Sequence, residues 1–215
     1  MPPPQIPPIF LSTSLTKTLL SPTNGPPYKV HQTAATSSKI PNPFFNITAR
    51  TPSPPSFPSD PQSTTTTKPP AILNTLFLSR PSPTVQGHLL IHCGPGITGQ
   101  NAIAHGGFLA TVLDEVCGNL ISAEGVDGGL GMFTVRLDVR YVRPVFVDDF
   151  DVSGGEGGGQ GGKGKGEASV IVASAQIERV EGRKVFVSAC VKDSDGEVCT
   201  RGDAVFVKKK GQAAL

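Results

Sequence analysis

The sequence predicts an α+β domain in which one long helix packs against an antiparallel sheet. Three observations lead there. One stretch, Gly106 to about Ser122, has strong helical periodicity; Phe133 to Tyr141 alternates with period two; and later Val/Ile/Ala-rich runs are joined by very short turns.

The domain is bounded by composition. Of the 21 prolines 17 precede residue 71, whereas only one of the 25 glycines does, so the boundary falls near residue 70. Residues 1–70 read as a Pro/Ser/Thr-rich extension: segments such as Pro52–Pro58 and Thr64–Thr67 offer too little apolar surface to offset the entropy of ordering. Before Asp60 this extension carries Lys17, Lys29, Lys39 and Arg50 and no acid, which suits an organelle transit segment. Its scarcity of arginine and its prolines suit a plain disordered extension instead, and the location stays open between cytoplasm and mitochondrion. From Asp60 onward acids slightly outnumber bases, so the domain has no field to attract nucleic acid. No apolar run approaches the roughly 18 residues of a membrane span. The four cysteines form no C-x-x-C pair, and three lie in strand- or helix-like segments, as small buried hydrophobes do.

Within residues 71–210 the elements follow in order. Ile72, Leu73, Leu76 and Phe77 are spaced helically, but the run is too short to separate helix from strand. Thr84 to Cys93 has Val85, Leu89 and Ile91 on one parity, a first strand. After the long helix, Phe133, Val135, Leu137, Val139 and Tyr141 alternate with Thr134, Arg136, Asp138 and Arg140, a sheet with one buried face. Pro144 to Val152 continues after a break, and the glycine-rich run 154–166 reads as a flexible loop, with no Lys-Ser/Thr to make it a phosphate cradle. Ala168–Val180, Arg183–Lys192 and Glu197–Lys208 are strands. Glu181-Gly182 and Asp193–Gly196 are turns tight enough to force antiparallel hairpins. Arg201-Gly202-Asp203 reads as a further turn.

The helix carries the candidate chemistry. On a helical wheel Phe108, Leu109, Val112, Leu113, Val116 and Leu120 form a broad apolar face. Asp114 borders it, with Gly107, Ala110 and Gly118 as small neighbours, which leaves room for a substrate or for a close-packed helix with Asp114 at its rim. First-turn N–H groups are unpaired and lie at the positive end of the helix dipole. Gly106 and Gly107 carry no side chain to block them, so a carbonyl oxygen can approach, as an acyl-transfer oxyanion requires. Gly106 and Asp114 are about 12 Å apart along one helix. One reacting carbonyl cannot lie within hydrogen-bond reach of both. If both act on it, they come from two chains, and a homodimer follows.

The run His105-Gly-Gly-Phe-Leu-Ala-Thr-Val-Leu-Asp114-Glu-Val-Cys-Gly118 resembles the H-G-G-x6-D-x3-G signature of the hotdog thioesterase superfamily, in its phenylacetyl-CoA thioesterase-like and mammalian thioesterase-superfamily-member branches. Met132 to Pro144, ending Tyr-x-x-Pro, looks like that family's following strand, and a looser likeness runs from about Ala71 to Lys208. The resemblance implies a hotdog fold, one long central helix wrapped by a curved antiparallel sheet, and hydrolysis of acyl-CoA thioesters. It makes Asp114 the general base or nucleophile and Gly106 N–H the group polarising the thioester carbonyl. His105 would set the helix start or the carbonyl, and Thr134 would orient water near the carboxylate. Gly107 would line the substrate site. The family's upstream Asn is absent, and Gln100 or Asn101 stands near its place. Thr134 is off its strand's apolar parity, so its hydroxyl need not be buried.

Other candidates carry less. His88 and His92 share a parity but lack a third ligand, so no metal is expected, nor any cofactor. No G-x-S-x-G elbow is present for serine hydrolysis, and Cys117, one turn from a carboxylate, has its thiol shifted the wrong way for a nucleophile. Arg140, Arg143 or Lys208–Lys210 can meet coenzyme A phosphates or can be ordinary solvated cations. The expected partners are an acyl-CoA and further copies of the chain, as a dimer or dimer of dimers. The alternatives are a hotdog module that binds acyl-CoA without turnover and a dehydratase or hydratase of the same fold.

Overall fold

The computed structural model describes residues 6, 8–21, 29–31, 72–80, 86–100, 102–147 and 169–210. The glycine-rich run 154–166, most of the extension and Asn101 lie outside them. Strands β1 (Lys29–His31), β2 (Ile72–Arg80), β3 (Gln86–Cys93), β6 (Met132–Tyr141), β7 (Val170–Glu181), β8 (Lys184–Lys192) and β9 (Val198–Lys208) form one antiparallel sheet ordered β1-β2-β3-β7-β8-β9-β6. A small hairpin pairs β4 (Thr98–Gln100) with β5 (Ile103–Ala104). Helix α1 is Ser14–Leu20 and the long helix α2 is Gly106–Ala123.

Helix α2 packs against β2, β3, β6, β7, β8 and β9. A helix about 10 Å wide that runs beside β6 reaches so many strands, set about 4.8 Å apart, only if the sheet curls around it. This is the helix-in-sheet arrangement of the α+β expectation. Its buried residues are Phe108, Leu109, Val112, Leu113, Val116, Cys117, Leu120 and Ile121, the predicted apolar face plus two. Each such side chain, moved from water into the core, contributes roughly 1.5–3 kcal/mol, so the helix is held by its packed face. It stops where Glu124 N–H caps Leu120 O and Gly125 turns to φ +64°, a left-handed conformation that glycine adopts without a Cβ penalty.

The segment from Ile72 resolves as strand, and it and β3 are buried on both faces. Leu89 and Ile91 face α2, while Leu76, Leu78 and Leu90 join Val170 and Val172 in a second cluster on the opposite face. That cluster is closed by Phe10, fully buried, with Ile9, Leu15, Leu19 and Leu20 around it. Within the extension, Pro8–Leu11 form a 3-10 turn, Ser14–Leu20 form α1 and Lys29–His31 pair as β1. The 3-10 turn Pro8–Leu11 and α1 set apolar side chains of their own on one patch of sheet. Thr13 starts α1 by accepting Thr16 N–H at 3.2 Å.

Two further expectations change. Arg201-Gly202-Asp203 lies inside β9 rather than at a turn, because Gly202 faces Leu113 so closely that a Cβ there would come within 3.0 Å of its Cδ1. The segment after Pro144 forms no ladder over its described residues. It makes one isolated bridge, Ile103↔Phe146, while Ala104 N–H reaches Val145 O and Val147 N–H reaches Ala102 O. These bonds tie the segment to the hairpin in front of α2.

Strand β6 departs from strict alternation in a way that matters. Its register against β9 shifts between Thr134 and Arg136, a bulge at Val135. One extra residue reverses the parity of all that follows. Before the bulge Met132 and Thr134 face α2; after it Leu137, Val139 and Tyr141 do.

Candidate active site

The start of α2 is built by residues on three sides. His105 is the N-cap in an extended conformation, and its own N–H donates to Ile97 O at 2.8 Å. Its Nδ1 accepts the Gly107 N–H at 2.9 Å. An accepting Nδ1 is unprotonated, so in the neutral ring the proton sits on Nε2, which becomes a donor facing outward. Gly99 makes this possible: a Cβ there would lie 2.7 Å from the imidazole. On the other side the Tyr141 hydroxyl donates to Gly106 O at 2.8 Å, and a Cβ at Gly106 would lie 3.2 Å from the Tyr141 ring.

With Gly107 N–H taken by the imidazole and Leu109 N–H by His105 O, Gly106 N–H and Phe108 N–H are the first-turn donors without an acceptor among the described residues, and Gly106 N–H is the one at the helix mouth. It sits at the positive end of an 18-residue helix. The geometry thus separates the two glycines: the N–H of Gly107 is occupied, and that of Gly106 has no acceptor among the described residues.

The carboxylate lies two turns further on. Asp114 is half-buried, and Thr134 Oγ1 donates to its Oδ1 at 2.8 Å. The hydroxyl's proton is thereby fixed, and Oδ2 has no described partner. Beneath Asp114, burial first and the Asp114 charge second push the Cys117 thiol far above its ordinary range, so it stays protonated and packs as a hydrophobe.

The structure brings His105, Gly106 and Gly107 together at one end of the site and Asp114 with Thr134 at the other. Arg143 pairs with Glu197 at 2.7 Å, and Arg140 lies exposed opposite Arg201 across the β6–β9 ladder. Gln100 is in β4, but its side chain and Asn101 lie outside the described residues. His88 Nδ1 is bonded to Ser174 Oγ at 2.8 Å, and burial holds His92 below the usual imidazole range. Tyr141 was not singled out from sequence as a site residue; its position at the end of an alternating strand marked it only as a core side chain.

The chain is similar to several known proteins. Residues 101–154 match the family model of the thioesterase superfamily. Over 120 residues the chain is 27% identical to acyl-coenzyme A thioesterase THEM4 of Rattus norvegicus, spanning 55% of this chain and 41% of that protein. It is 25% identical to acyl-coenzyme A thioesterase THEM5 of Mus musculus over 55% of this chain and 39% of that one. The chain therefore spans about two fifths of the length of the curated relatives it matches. Among solved structures, the Escherichia coli PaaI protein aligns at TM-score 0.45 and 11% identity over 59% of this chain and 74% of that chain. The BH2602 protein of Bacillus halodurans, solved with CoA, aligns at TM-score 0.43 and 23% identity over 56% and 65%. The family-model match covers the stretch that holds α2 and β6.

Proposed function

We propose that the protein hydrolyses acyl-CoA thioesters at two composite sites of a homodimer. The observation that carries this reading is the Thr134–Asp114 hydrogen bond, which presents a half-buried carboxylate with one oxygen held and the other without a partner among the described residues. In the reaction, the thioester carbonyl oxygen of the bound ester accepts from Gly106 N–H of one subunit. The partner's Asp114 takes a proton from water as the water oxygen bonds to the carbonyl carbon. The tetrahedral oxyanion is stabilised at the helix mouth and collapses, breaking the C–S bond. The thiolate leaves and receives the proton that the carboxylate had taken. Direct attack by Asp114 on the carbonyl, followed by hydrolysis of the anhydride, uses the same two groups.

Support for the second subunit comes from β6. It is an edge strand, so one side of its backbone has no ladder partner within the sheet. Phe133, Val135 and Tyr141 on it, with Val142 and Phe146 after it, remain half or more exposed. Exposed apolar side chains along an unpaired edge suit pairing with a second copy about a two-fold axis, which would bring each Gly106 towards the other chain's Asp114.

The test is Asp114→Asn, isosteric but unable to take a proton. We expect kcat for thiol release from acyl-CoA to fall at least about a hundredfold with the folded structure retained. Full activity in the variant contradicts the mechanism. Binding of acyl-CoA by the wild type without any thiol release assigns the chain to the binding-module reading.

A further inference from the structure

At the far end of α2 from Gly106 lies a surface cleft of about 590 Å³, lined by the loop Gly125–Leu130 and by Arg183, Lys208, Lys209 and Lys210. Four cations meet one carboxylate there, Asp127, which is already engaged with Ser122 Oγ and Gly129 N–H. The backbone frame is braced independently of the lysine side chains. Arg183 donates twice to Lys208 O, Lys208 N–H to Arg183 O, and Lys209 N–H to Gly131 O. Lys209 Nζ lies 5.1 Å from the centre of the Phe133 ring. The negative end of α2 points towards this region and would by itself repel an anion, so the lysines are what make it attractive to phosphate.

We propose that this cleft of one subunit holds the phosphate groups of the acyl-CoA whose carbonyl sits at the Gly106 mouth of the other. This rests on the composite thioesterase reading and adds where the carrier end of the substrate lies. The distance argument is simple. At the reacting carbon the mouth of one subunit meets the partner's Asp114. From Asp114 the same helix runs nine residues, about 14 Å, to its end at Ala123, and the cleft's first lining residue, Gly125, lies two residues beyond. The arm of coenzyme A has about thirteen bonds between sulfur and its first phosphorus, and at about 3.6 Å per three bonds it extends about 16 Å. The cleft is therefore one arm's length from the chemistry. The other basic candidates are not. Arg140 and Arg143 flank Tyr141, whose hydroxyl touches Gly106 O, so they lie beside the carbonyl of their own subunit. Arg143 is moreover committed to Glu197.

The experiment compares the full chain with a Lys208→Ala, Lys209→Ala, Lys210→Ala triple variant on two substrates carrying the same acyl group, acyl-CoA and acyl-pantetheine. The second keeps the arm but has no phosphate. We expect KM for acyl-CoA to rise at least about tenfold with kcat unchanged, because exposed charge contacts act on binding alone. Both parameters on acyl-pantetheine should be unchanged. An unchanged KM for acyl-CoA overturns the proposal, and so does an equal loss on both substrates, which would give the lysines a role in the scaffold. Titration with free coenzyme A keeps the question separate from catalysis. Weakened binding by the variant supports the cleft even if the wild type turns over neither ester, the outcome that would sink the thioesterase reading alone. Equal binding by both proteins removes the cleft.

Discussion

At the scale of single residues, the decisive distinction is between two adjacent N–H groups. The imidazole of His105 occupies that of Gly107, so the proposed mechanism gives the oxyanion role to Gly106. Proline at position 106 removes this one donor. Proline is favoured at the first helical position, and the extended His105 (φ −63°, ψ 133°) tolerates a following proline. The Tyr141 ring must give by a few tenths of an ångström. Gly106→Pro should therefore fold with unchanged circular dichroism and lose roughly a hundred- to a thousandfold in kcat, the usual effect of deleting an oxyanion donor. Retained activity would move the oxyanion elsewhere. Much of this site was legible beforehand: Asp114 stood out as a carboxylate among small neighbours on a helix border, and Gly106 as an unblocked first-turn donor. Tyr141 did not, because strand parity says which face a side chain takes but not that its hydroxyl reaches a carbonyl 35 positions earlier in the chain.

At the scale of elements, α2, the hairpins and the alternating β6 followed directly from period, turn residues and apolar content. The bulge at Val135 did not, since a one-residue insertion leaves no mark on an alternating pattern, yet it turns both Thr134 and Tyr141 towards α2. Helix α1 was hidden by the prolines around it; only its docking surface on β2, β3 and β7 explains its apolar side chains. Phe10 is the anchor of that docking, so Phe10→Ala should lower stability by about 3 kcal/mol in chemical denaturation while leaving the site's geometry alone. No loss would mean that α1 adds nothing to the fold. The contact between β3, α2 and the sheet core also has a pH signature. Burial pushes the Cys93 and Cys117 thiols far above the ordinary value of 9.0. In the unfolded chain they ionise near that value, whereas in the folded chain they keep their protons. Below about pH 8 they should not affect stability. Above about pH 9 the unfolded state binds fewer protons, so each should cost up to about 1.4 kcal/mol per pH unit. Denaturation midpoints against pH should fall less steeply on the alkaline side for Cys93→Ala than for the wild type; parallel curves would contradict the buried-thiol account.

At the scale of the whole molecule, the account turns on one separation. A donor at Gly106 and a carboxylate at Asp114 stand about 12 Å apart along a rigid helix, too far to share a carbonyl, and β6 leaves an exposed apolar edge beside both. The sequence already implied this separation, but not which strand is left at the sheet edge; that depended on β6 being last in the sheet order, which no local pattern records. The most direct measurement mixes two inactive variants, Asp114→Asn and Gly106→Pro, unfolds them together and refolds them. A mixed dimer joins an intact helix mouth from the first chain to an intact carboxylate from the second, so one of its two sites is whole. Random pairing should restore about a quarter of wild-type thioesterase activity, eluting at the mass of a dimer or larger. Activity that stays at the level of the separate variants would contradict a site shared between chains.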